Sequence, residues 1–62
     1  MIKPTIPVVA KALHRNLVEF GYDTLTLEAV QQAIDSLLRG EEPKEVIGMF
    51  AKNMLVKNGY LV

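Results

Sequence analysis

The chain has 62 residues, of which 50% are hydrophobic, and its seven basic and seven acidic side chains give a formal net charge of zero. It contains no cysteine, which excludes disulfides and thiolate metal sites. A neutral chain also lacks the overall positive field that draws proteins to nucleic acid or anionic membranes. The length predicts a single helical domain over residues 1–62, with enough apolar side chains for a packed core.

The first helix is predicted over residues 6–20. Thr5 is the best N-cap nearby, and Gly21 can take the left-handed conformation that stops a helix. His14 falls on the polar side and is expected at the surface. Apolar residues recur at helical spacing and predict one buried face, which comprises Val9, Ala12, Leu13, Leu17 and Phe20.

The second helix is predicted over residues 27–39 and has the clearest pattern in the chain. Thr26 is its predicted N-cap, and Gly40 follows its last residue. Its apolar stripe comprises Leu27, Val30, Ile34, Leu37 and Leu38.

The third helix is predicted over residues 43–57, with Pro43 in the first helical position and a stop at Gly59. Met49 and Val56 form an apolar stripe on one side of it. A helix that is apolar on two sides must be covered on two sides. The other apolar face, nearly opposite, comprises Val46, Ile47, Phe50, Ala51 and Met54.

Three helices joined by short links favour antiparallel neighbours. The predicted fold is therefore all-α, a compact three-helix bundle with a short apolar C-terminal tail at residues 60–62. The pattern does not fix the crossing angles, so an orthogonal arrangement of the helix-turn-helix kind stays open.

The sequence contains few residues that could support catalysis or bind a metal. A single histidine without cysteine cannot supply the usual ligands of a zinc site. Glu41, Glu42 and Glu45 are interpreted as favourable charges at a helix start. Ser36, the only serine, lies in no nucleophile motif. We therefore predict no catalytic residue, no metal, no cofactor and no small-molecule substrate, hence a protein that is not an enzyme.

The surplus of apolar positions favours protein–protein contact, either with another protein or with a second copy in a homodimer. The predicted interface comprises Val18, Met49, Val56, Tyr60 and Leu61. In a monomer the tail would instead fold over Met49 and Val56, and the sequence does not decide between these arrangements.

DNA binding is the alternative function, because the second and third predicted helices have the outline of a helix-turn-helix. In that motif the start of the second helix contacts DNA, and here three glutamates would repel the phosphates. Nucleic acid is therefore the less favoured partner. The absence of a signal peptide, of an apolar run of about 20 residues and of cysteine predicts a cytoplasmic protein.

Overall fold

Three α-helices form the protein in the computed structural model, which describes residues 3–62: α1 Ile6–Phe20, α2 Leu27–Leu38 and α3 Val46–Lys57. Every helix contacts the other two, and within the described residues the chain has no strand. The predicted all-α three-helix bundle is confirmed. No helix of the described range has the length and apolar character needed to cross a membrane.

The core lies between the three helices, where their apolar sides meet. Val30 and Ile34 of α2 and Leu55 of α3 have no exposed surface, and no polar or charged residue in the described range is buried. Each large apolar side chain buried in this way contributes about 1.5–3 kcal/mol. The remaining core residues are Val9, Ala10, Leu13, Leu17, Leu37 and Ala51.

The buried faces of α1 and α2 are narrower than predicted. Phe20 and Ala12 of α1 are exposed, whereas Ala10 is buried. Because Ala10 and Ala12 lie about 160° apart around a helix, α1 is rotated so that the side carrying Ala10 faces the core. Leu38, at the C-terminal end of α2, is also exposed.

Two of the residues predicted to begin or end helices are confirmed in that role. The hydroxyl of Thr26 accepts a hydrogen bond from the backbone N–H of Ala29 at 3.1 Å, so Thr26 caps α2. Gly21 ends α1 with a φ of 126°, a conformation that favours glycine. Thr5 occupies the N-cap position of α1, but its side chain makes no capping hydrogen bond.

The predicted start of α3 at Pro43 is wrong, since the helix begins at Val46. Glu45 is extended, with φ −128° and ψ 167°. Pro43 instead lies over the first turn of α3, where a Cβ atom added to Gly48 would come within 3.1 Å of the proline Cβ. Gly48 therefore lets the link pack closely. α2 also ends one residue earlier than predicted, so the link covers residues 39–45.

Replacing Ile34 with Val tests the core. The change removes one buried methylene, and we expect the free energy of unfolding to fall by about 0.5–1.5 kcal/mol. Gln31→Ala, at an exposed position of the same helix, is the control and should change it by less than about 0.5 kcal/mol. Urea denaturation measures both. If both changes lowered the free energy of unfolding equally, the placement of Ile34 in the core would be wrong.

Candidate protein-contact surface

The solvent-facing side of α3 carries four apolar residues, which we call the outer face: Val46, Met49, Phe50 and Val56. Met49 is 59% exposed, Val46 52%, Val56 42% and Phe50 37%. Val46, Met49 and Phe50 are neighbours at helical spacing, and Val56 lies on the same side of the helix two turns beyond Met49. The outer face therefore carries three adjacent apolar residues at the start of α3, and the exposed Asn53 lies between them and Val56.

The outer face is exposed because the core takes only the opposite side of α3. That side buries Gly48, Ala51 and Leu55, spaced three and four residues apart. Two of these residues are small, which brings the α3 backbone close to its neighbours. Val46 and Phe50 were predicted nearly opposite the stripe of Met49 and Val56, and this is wrong. All four residues lie on the exposed side of α3. Leu55 was not predicted on the buried side, yet it is fully buried.

An aromatic cluster continues the apolar surface from α3 onto α1. The ring of Phe20 packs edge-on against that of Phe50, with centroids 6.0 Å apart. Phe20 also stacks with Tyr22, with ring centroids 6.4 Å apart. Phe20 is nevertheless 74% exposed, because both contacts lie near the surface. It was predicted in the core and instead adds to the accessible apolar area.

A groove of about 300 Å³ runs between α1 and α3 beside this cluster. The buried Leu13 and Leu17 line it, together with the half-buried Met54. Its polar lining comes from Asn16, Asn53 and Lys57, all of which are exposed. The groove is thus mainly apolar, with polar groups that remain in contact with water.

The C-terminal tail packs on the core rather than covering Met49 and Val56. The hydroxyl of Tyr60 donates to the carbonyl of Pro4, and its backbone N–H donates to the carbonyl of Leu55 at 2.8 Å. Leu61 is half-buried against the core. The tail therefore fastens the segment before α1 to the end of α3.

Lys3 strengthens this connection between the two ends of the chain. Its ammonium group lies 3.9 Å from the centroid of the Tyr60 ring, within the range of a cation–π interaction. The same group donates to the carbonyl of Gly59 at 3.0 Å. Tyr60 thus has a structural role in the isolated chain.

The five residues predicted as an interface do not form one surface. Met49 and Val56 lie on the outer face of α3, whereas Tyr60 and Leu61 belong to the tail contacts just described. Val18 is half-buried, and it lies about 160° around α1 from Asn16, which lines the groove. Val18 therefore faces away from α3.

His14 is less accessible than predicted. Its Nε2 atom lies 2.8 Å from the carbonyl oxygen of Leu25, and the side chain is half-buried. Because a carbonyl only accepts hydrogen bonds, Nε2 must carry the proton that it donates. His14 therefore holds the connection between α1 and α2 in place.

The N-terminal end of α3 is acidic, with Glu41, Glu42 and Glu45 all exposed. A guanidinium nitrogen of Arg39 lies 3.3 Å from the Glu41 carboxylate, and the Lys52 ammonium lies 4.0 Å from that of Glu42. The three glutamates line a second cavity of about 320 Å³ between α2 and the link to α3. In the part of the chain that the structure describes, no three histidine, aspartate or glutamate side chains could hold a metal ion.

Comparison with models of known protein families, with curated proteins and with solved structures gives no match to this chain in any of the three.

Substituting Met49 with Lys tests whether the outer face contributes to the fold. Because Met49 is mostly exposed, we expect the free energy of unfolding to change by less than about 0.5 kcal/mol. Leu55→Ala, on the buried side of the same helix, should cost about 2–5 kcal/mol. Chemical denaturation distinguishes the two. A loss of several kcal/mol in Met49→Lys would place Met49 in the core and remove the proposed surface.

Proposed function

We propose that this protein is a small non-enzymatic helical module that acts through protein–protein contacts made by the outer face of α3. The observation that carries the proposal is the exposure of Met49, Val46 and Val56 on a chain whose core is otherwise well packed. Clusters of exposed apolar residues commonly mark interaction sites. Location in the cytoplasm is part of the same proposal and rests on the absence of cysteine.

The composition of the outer face suits contact with another protein. Methionine is flexible and polarizable, so Met49 can adapt to the shape of a partner. Phe50, beside the exposed ring of Phe20, offers a large rigid apolar area. Lys57 borders these residues and supplies a polar group at the rim, and Asn53 lies between Met49 and Val56. Protein interfaces commonly combine an apolar centre with such a polar rim.

The hydrogen bonds of the two most reactive side chains support a role without catalysis. A serine hydroxyl acts as a nucleophile when a base such as histidine lies beside it. The hydroxyl of Ser36 accepts a hydrogen bond from the guanidinium of Arg39 at 3.2 Å. The imidazole of His14 is bonded to the carbonyl of Leu25. Each side chain thus has a structural partner of its own.

The geometry of the link between α2 and α3 does not support the helix-turn-helix alternative. That motif joins its helices by a turn of about three or four residues. Here residues 39–45 separate the helices, and the segment includes an extended Glu45. The exposed carboxylates of Glu41, Glu42 and Glu45 lie where a recognition helix would approach phosphates. We therefore favour a protein partner over DNA.

Photo-crosslinking tests the proposal in the cells that make the protein. A photoreactive benzophenone side chain would replace Met49 in one variant and the exposed Gln31 of α2 in a control variant. We expect crosslinked protein adducts from position 49 that are absent from position 31. Mass spectrometry identifies the adducts, including those between two copies of the chain. The same adducts from both positions, or none from position 49, would contradict the proposal.

A further inference from the structure

We infer that the outer face of α3 binds a second copy of this chain, with the two α3 helices antiparallel. The inference rests on the proposed function and narrows it to self-association. Val46, Met49, Asn53 and Val56 are all exposed, and their spacing is three, four and three residues. This spacing is that of the a and d positions of paired helices, where side chains of one helix insert between those of the other.

The charges at the two ends of α3 favour an antiparallel arrangement. Glu42 and Glu45 lie at its N-terminal end, whereas Lys57 lies in its last turn. Among residues 3–62, neither Glu45 nor Lys57 belongs to an ion pair. Both charges are therefore available for contacts between molecules.

In an antiparallel pair, a two-fold axis that crosses the contact at the level of residue 51 brings opposite charges to the same level along the helices. Val46 of each copy then lies level with Val56 of the other, and Glu45 lies level with Lys57 of the other copy, across the end of the contact between the helices. A parallel pair would instead place each glutamate beside its own equivalent and each lysine beside its own, which is unfavourable. The helix dipoles add a smaller preference in the same direction.

The size of the contact predicts a weak dimer. A 12-residue helix is about 18 Å long and about 10 Å wide. Two such faces bury less than the roughly 800 Å² per partner of a standard stable interface. Phe20, which touches Phe50, extends the contact onto α1. Association is thus expected to be reversible and dependent on concentration.

Sedimentation equilibrium of the full chain at low ionic strength, at concentrations up to roughly 1 mM, tests the inference. Wild type should show a reversible monomer–dimer equilibrium. Glu45→Lys should weaken it by roughly tenfold, because two attractive pairs become repulsive. Adding Lys57→Glu should restore the affinity, since the double variant exchanges the charges of the two ends. In a parallel dimer the single change would have no such effect.

Glu28→Lys is the matched control, because it makes the same charge change at an exposed position in the first turn of α2. It should leave the dissociation constant unchanged within about twofold. Urea denaturation confirms that each variant folds; the Glu45 side chain makes no capping hydrogen bond that the change would remove.

Two results would overturn the inference. A wild-type chain that stays monomeric at every concentration excludes the second copy, and a double variant that does not recover affinity excludes the antiparallel pairing. The photo-crosslinking result distinguishes a failure of the self-association from a failure of the proposed protein-contact function. A monomeric chain whose position 49 still crosslinks to a different protein retains the function and loses only the self-association.

Discussion

The central constraint in this structure is that a small chain can cover only one side of its most apolar helix. The core lies between three helices, and α3 contributes Gly48, Ala51 and Leu55 to it. Gly48 leaves space for Pro43 of the link, and Ala51 adds only a methyl group to the buried side of the helix. With both neighbouring helices on that side, nothing within residues 3–62 remains to cover the outer face. The exposed apolar surface follows from this packing.

The segments before and after α3 pack against its ends and not against its outer face. Pro43 lies over the first turn of α3 because Gly48 leaves space for it, so the link between α2 and α3 is longer than a tight turn. At the other end, Tyr60 joins the C-terminal tail to the segment before α1 through Pro4 and Lys3. Both ends of α3 are therefore fixed by contacts that leave its outer face open.

Sequence patterns predicted the helices of this protein well, because local interactions define most of their boundaries. Gly21 and the Thr26 cap act within a few residues of their own positions. The start of α3 was missed because proline suits both a first helical turn and an extended link. In the structure, Pro43 lies in the extended link and packs against Gly48 of the helix, a contact between segments that local sequence patterns do not reveal.

The buried side of α3 could not be predicted from periodicity. Apolar residues occur around almost its whole circumference, so several orientations bury similar numbers of them. Gly48 has no side chain to suggest burial, although the close approach of Pro43 favours a glycine there. The exposure of Met49 and Val56 was foreseen as one of two arrangements. That of Phe50 and Val46 was not, although the spacing of Val46 from Met49 and Val56 was a usable signal.

The most direct test of the account is the accessibility of individual methyl groups in the dilute protein. An inert gadolinium chelate in solution increases the relaxation of methyl protons that it can approach, and NMR measures this for each residue. We expect strong relaxation for Met49 and Val56, as for the exposed Val8, and weak relaxation for the buried Leu55 and Ile34. If Met49 and Val56 were as protected as Leu55, the outer face would belong to the core, and the proposed contact surface would not exist.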